Sequence, residues 1–109
     1  MRRVAIGALR HPLTLEAPAR SAGEGGTATV VWSPVAQVWT AITPLNGREM
    51  VWADAVASRV THEVRLRFRD GVHAEMRFTT GSRILDIRAV RDEGERHRWL
   101  VCLCEERGL

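Results

Sequence analysis

Between Arg59 and Arg69 the chain alternates residue by residue. Val60, His62, Val64, Leu66 and Phe68 fall on one side, and Arg59, Thr61, Glu63, Arg65, Arg67 and Arg69 on the other. Successive side chains of a β-strand point to opposite faces, so this pattern demands a strand with one face on a core and the other in water or at an interface. Asp70-Gly71 supplies a turn, because glycine accepts a positive φ and aspartate tolerates it. From His73 to Thr79 the alternation resumes, with Ala74, Met76 and Phe78 on the inner side and His73, Glu75 and Arg77 on the outer. The two runs together predict a hairpin.

Strand signals continue to the end of the chain. Thr80-Gly81-Ser82 turns into Arg83–Val90, and Asp92-Glu93-Gly94-Glu95 turns again into Trp99–Cys104. The last run is apolar on both sides, as in a strand covered on both faces. Residues 59–104 thus predict a meander of four strands, the pattern of a small antiparallel barrel or sandwich.

The first half is less regular. Leu13-Thr14-Leu15-Glu16 alternates briefly and stops at Pro18, and the small, glycine-rich stretch 19–26 predicts a flexible loop. Thr27–Trp32 and Val35–Thr43 are two further strands, separated at Ser33-Pro34 because proline cannot donate a ladder hydrogen bond. One short α-helix is expected after Pro44-Leu45, where Asn46 and Glu49 have the spacing of a capping box and Met50, Val51, Trp52, Ala53, Ala55 and Val56 follow. So short a helix needs a surface to pack on. Trp52 is either an interface anchor or a cover for one end of the core.

At 109 residues this is one domain, marginal on its own and helped by partner subunits. Its 16 basic residues, all arginine, face 13 acidic ones, for a net charge of +3, too balanced for a nucleic-acid arm. Arginine suits bidentate contacts at protein interfaces, but arginine-rich codon usage accounts for the bias equally well. The apolar run Val4–Leu9 is short for a signal peptide and no stretch reaches the length of a membrane span, so a cytoplasmic protein is expected.

No catalytic motif is present: no Gly-x-Ser-x-Gly elbow, phosphate loop or His-Glu-x-x-His. His62, on an apolar strand face, is expected to be a satisfied core histidine. Cys102 and Cys104 share one strand face, unsuited to bridging each other, and His11, His62, His73 and His97 have no metal-ligand spacing. Neither a metal nor another cofactor is expected. Arg65, Arg67 and Arg69, extended by Arg77 on the paired strand, raise the alternative of a small nucleic-acid-binding β-barrel. Such binders interleave aromatic residues for base stacking, and Phe68 and Phe78 point away from this stripe while Glu63 and Glu75 interrupt it. A solvated or subunit-facing stripe is therefore favoured.

Several motifs, in order, resemble one family. Gly7-Ala8-Leu9-Arg10-His11-Pro12-Leu13-Thr14-Leu15-Glu16 opens the match, followed by Trp32, Val38-Trp39-Thr40-Ala41-Ile42-Thr43-Pro44-Leu45-Asn46-Gly47-Arg48-Glu49, Thr61–Arg69, Met76-Arg77, Gly81–Ile87 and Leu103–Glu106. The chain resembles the phage head–tail joining proteins, also called head completion, head closure or stopper proteins, with their relatives in gene transfer agents. The resemblance implies a small antiparallel β-barrel or sandwich with one short helix, assembled as a hexameric or dodecameric ring in the neck of the particle. The ring would join portal and adaptor proteins to tail terminator or tail tube proteins, with nonspecific contact to double-stranded DNA in its channel and no membrane partner. A loop that closes the channel in relatives corresponds best to Pro44–Ser58, which places Asn46, Arg48, Glu49, Met50, Trp52 and Asp54 at a subunit interface or channel. The candidate interface or DNA-facing arginines are Arg65, Arg67, Arg69 and Arg77.

Overall fold

A computed structural model describes residues 9–22, 28–45 and 60–108. Six strands form it: β1 (His11–Ala22), β2 (Ala28–Pro44), β3 (His62–Arg67), β4 (Arg77–Thr80), β5 (Arg83–Asp92) and β6 (Trp99–Glu106), with a 3-10 turn at Glu93–Glu95 before β6. They close into an antiparallel barrel in the order β1-β2-β3-β6-β5-β4. The expected mainly β barrel is what this chain forms. The segment in which a helix is expected, 46–59, lies outside the described residues.

The alternation that defines β3 holds: Val64 and Leu66 are fully buried, His62 nearly so, and Arg67 is exposed. Leu13 and Leu15 of β1, Phe78 of β4, Leu85 and Ile87 of β5 and Leu100, Cys102 and Cys104 of β6 complete the interior. At about 25 cal/mol per Å² of apolar surface removed from water, this single cluster is the main source of stability. β6 is buried on both sides, as its sequence requires. Outside the barrel, Leu103 packs with Val60, Leu45 and Ala89 in a second small cluster. That cluster and the hydrogen bond from the Leu45 amide to the Thr61 carbonyl (3.0 Å) hold together the two ends of the 46–59 segment.

Strand partners differ from the expected hairpin and meander. β3 pairs with β2 on one side and β6 on the other, so neither edge is left for β4. β4 lies across the barrel between β1 and β5. The Asp70-Gly71 turn forms, with Gly71 at φ +83°, but it belongs to a crossover over one end of the barrel. Phe68 and Val72 pack on the core from this crossover and Met76 is buried, closing the barrel end in a way a two-residue hairpin could not. The alternation over His73–Thr79 is also broken locally. Glu75 adopts φ +86° and the Met76 amide bonds the His73 carbonyl (3.3 Å), so β4 starts only at Arg77 and Ala74 is exposed.

Both proline boundaries in the first half are overridden. β1 continues through Pro18 to Ala22, so residues 19–22 are strand where composition predicts loop; residues 23–27 lie outside the described set. β2 is one strand of 17 residues that runs through Ser33-Pro34. The physical reason is a bulge: Leu15 pairs with Ala36 but Glu16 with Pro34, leaving Val35 as an extra residue where the ladder is already interrupted. β4 meets β1 only at Thr14–Glu16, so among the described residues the outer edge of β1 beyond Ala17 has no strand that needs a donor from Pro18. Ala17–Ala22 and Ala28–Ser33 pair only with each other, a two-stranded ribbon that stretches the molecule to 52 × 28 × 28 Å.

Candidate functional site

The candidate residues separate into three groups. Asn46, Arg48, Glu49, Met50, Trp52 and Asp54 lie outside the described residues. Arg65 and Arg77 are engaged within the chain. Arg67 and Arg69 remain at the surface of one barrel end.

Arg65, on the outer face of β3, is ion-paired with Glu93 of the turn before β6. Arg77 does not extend the β3 stripe, because β4 is not the partner of β3. It sits at the base of the ribbon, where its Nε donates to Glu16 Oε1 at 2.7 Å and its guanidinium lies 4.1 Å from the centre of the Trp32 ring. A carboxylate and an indole face together fix a guanidinium in place. This contact ties β4 to both strands of the ribbon just beside the bulge.

The rest of the outer wall is similarly self-paired. Arg83 makes a two-pronged contact with Glu106 (2.8 and 2.9 Å), and Arg107 another with Asp86 (2.8 and 3.0 Å). Arg88 pairs with Glu105. The hydrogen bond from Arg83 holds Glu106 below the usual carboxylate range, and the carboxylates raise Arg83 and Arg107 in return. Next to Glu106 lies His62, 8% exposed, with Nε2 3.6 Å from Glu106 Oε1 and Nδ1 2.8 Å from the Thr61 hydroxyl. Burial lowers the His62 pKa below 6.5, more than the neighbouring Glu106 raises it. Cys102 and Cys104 are free and buried; burial pushes Cys102 up to about 12 and Cys104 well above its ordinary value, so neither is a ready nucleophile. Among the described residues no three His, Cys, Asp or Glu side chains converge as a metal site.

Two surfaces adjoin this network. One is a cleft of about 450 Å³ beside the ribbon, lined by Pro18, Arg20, Trp32, Glu75, Asp86 and Arg107 among others. It opens where β4 ends and β1 and β5 run on without it. The other is the barrel end beneath the crossover, where Phe68 and His97 stack with ring centres 4.4 Å apart. There Arg67 pairs in register with Trp99 of β6. Thr40 pairs with Leu66, so one step further along the same ladder Trp39 of β2 stands beside Arg67 on the other side. A groove of about 340 Å³ runs between them, lined by Leu9, Val38, Trp39, Leu66 and Arg67 to Arg69. Trp39 is 61% exposed.

Sequence reasoning misses this row of Trp39, Arg67 and Trp99 because it pairs β3 with β4. The signal was present in part: Trp39 alternates with Val38 and Thr40, which are inward, and so belongs on the outer face of its strand. Only the long-range partners of β3 bring the two tryptophans to the arginines.

The described residues thus build a closed barrel with a filled interior, an outer wall of mutually paired charges and a projecting ribbon. The family described as phage head completion protein matches residues 4–107, and the chain belongs to it; this is a family of structural phage proteins. Among solved structures the chain is similar to protein SF1141 from Shigella flexneri 2a, with 22% identity, a TM-score of 0.74 and coverage of 96% of this chain and 98% of that one. It is also similar to a chain from the virion of a native gene transfer agent particle, with 24% identity, a TM-score of 0.64 and coverage of 89% and 94%. No curated protein sequence matches it.

Proposed function

We propose that this protein is a neck subunit of a tailed phage or phage-like gene transfer particle, assembled in the bacterial cytoplasm. Copies would form a ring, hexameric or dodecameric, between portal or adaptor proteins and the tail terminator or tail tube. The ring retains the packaged DNA and offers the platform on which a finished tail docks. The match to the head completion family over residues 4–107 carries this reading. The shared fold of a chain from a gene transfer agent virion supports it.

The mechanism in this reading is mechanical. Ring closure needs heterologous contacts, one face of a subunit against a different face of the next. A barrel whose outer arginines are mostly paired internally has few charges to spare, so the contacts fall to the ribbon, to the crossover end and to the excursion Pro44–Ser58. The single domain is read as 1–109, with that excursion carrying Asn46, Arg48, Glu49, Met50, Trp52 and Asp54 toward a neighbour or the channel.

Electron microscopy of particles from a strain lacking this chain tests the reading. Empty or DNA-leaking heads without attached tails are the expected result, and Trp52→Ala should reduce joined particles at least several-fold while the barrel stays folded. Normal numbers of tailed, DNA-filled particles in the deletion strain would overturn the reading.

A further inference from the structure

We infer that the ribbons of successive copies join edge to edge, the free edge of β2 over Ala28–Ser33 pairing antiparallel with the free edge of β1 over Ala17–Ala22 in the next copy. Resting on the ring reading, this pairing makes the ribbon the joint between neighbours. Val30, Val31, Val35 and Trp39 are the large apolar side chains left exposed among the described residues, and all four lie on β2. All precede Thr40, the first β2 residue to pair with β3, so they fall where β1 is the only described partner of β2. From Ala28 to Pro44, β2 contains no charged residue. Sheet edges that must stay single are guarded by charge, by proline or by shortness. Over Ala28–Ser33 this edge has no such guard; Pro34 stands just beyond it.

The ribbon also lacks a third strand. A two-stranded ribbon is marginal in water, and three or more strands are needed for it to stand by itself. Among the described residues, Ala17–Ala22 and Ala28–Ser33 pair only with each other. Ala17, Ala19 and Ser33 are too small to add much by packing. The contact of Arg77 with Glu16 and Trp32 secures the base alone. A further strand on either edge supplies the missing ladder, the mode in which an exposed sheet edge binds its partner.

A second copy brings the matching strand. Each ribbon has two free edges of equal length and different sequence. β2 runs antiparallel to β1 within its own ribbon, so rotation about an axis along the ribbon sets β2 of one copy antiparallel to β1 of the next. That contact joins two different surfaces, the heterologous kind that closes rings, whereas β2 against β2 is isologous and stops at a dimer. Charge favours the same place. Copies with a net charge of +3 repel each other, but Ala28–Ser33 is uncharged and Ala17–Ala22 carries only Arg20. A strongly charged foreign segment finds little there to select it. Pro18 is the one residue of its six without an amide and removes at most one bond from the new ladder. The cleft of about 450 Å³ opens on this edge of β1, where β4 has ended, and Ala19 and Arg20 are exposed.

Rotation keeps one ribbon face toward the ring axis, so Ala19 of one copy stands opposite Val31 of its neighbour, its counterpart within the ribbon as well. A stagger of two residues, of the kind strand tilt imposes, puts Thr29 or Ser33 there instead. Directly opposed residues of an antiparallel pair have Cα atoms about 4.5–5.5 Å apart, within disulfide reach. The test coexpresses two full-length chains with tags of different length in the particle-producing strain, in place of the natural chain. One carries Ala19→Cys and the other Thr29→Cys, Val31→Cys or Ser33→Cys. After mild oxidation the products are read on non-reducing gels; Cys102 and Cys104 are buried and take no part. At least one combination should give mixed dimers roughly tenfold above either variant alone. No mixed dimer in any of the three would overturn the inference. Dimers from one variant alone would also overturn it, by assigning an isologous contact. The phenotype of the deletion strain is read separately. Leaking heads without mixed dimers reject the edge pairing and keep the neck role, and mixed dimers with normal particles in the deletion strain keep the pairing and reject the neck role.

Discussion

His62 shows how one side chain can be legible in type and not in circumstance. Its place on the apolar side of β3 is plain from alternation, and Thr61, 2.8 Å away, is its chain neighbour, but Glu106 at 3.6 Å is brought to it by pairing with β6. Arg83, across Glu106 on β5, brings a positive charge that further lowers the His62 pKa. Burial lowers the folded-state pKa of His62 relative to 6.5, so the unfolded chain binds the proton first as pH falls. Stability should therefore be lost as pH drops below about 6.5, with a slope of at most about 1.4 kcal/mol per pH unit for one proton, and level off below the folded-state pKa. Glu106 acts lower on the scale, because its depressed pKa keeps its contribution until the pH falls below the ordinary carboxylate range. Urea denaturation between pH 8 and 5 should show the histidine slope in the natural chain and a flat profile in His62→Gln over the same interval. Several buried residues are readable in advance: Val64, Leu66, Met76 and Phe78 sit where period-two patterning puts them.

At the scale of elements, legibility depends on whether the information is local. β3 is marked by alternation, and β5 and β6 by the turns at Gly81 and Asp92–Glu95 and by the doubly apolar run of β6. Their partners are not, because a strand with a suitable inner face can pair with several others, and the choice is made by which arrangement buries Phe68, Val72 and Met76 at the barrel end. The Trp39, Arg67, Trp99 row is invisible for the same reason. The ribbon was hidden by two prolines, each harmless where it falls: one at a strand edge with no described partner, the other at a bulge. Arg77 is the element that pins this ribbon to the barrel, through Glu16 and Trp32. A cation–π contact of about 0.5–2 kcal/mol, with its ion pair, corresponds to roughly tenfold in local opening. Arg77→Ala should raise amide hydrogen exchange about tenfold over residues 17–20 and 29–33 and leave β6 unchanged. Uniform acceleration across the barrel would show that Arg77 supports the whole fold instead.

Across the whole molecule, closure depends on strands far apart in sequence. β1 reaches β4 through Thr14–Glu16 and Arg77–Thr79, about sixty positions away, and β3 must wait for β6. Such nonlocal pairing places refolding in roughly the millisecond-to-second range typical of β-barrels, which stopped-flow tryptophan fluorescence can measure; microsecond refolding would contradict the topology. The same order sets the large-scale shape, a barrel about 28 Å across drawn out to 52 Å by one pair of strands. Six residues on each side carry that pair about 20 Å past the wall. It leaves the barrel beside the Pro34–Val35 bulge. Tilting it by about 10° at its root sweeps the far end through about 3.5 Å over that length, more than the span of a hydrogen bond. With that reach, the angle set beside one proline decides where the far end of the described ribbon stands.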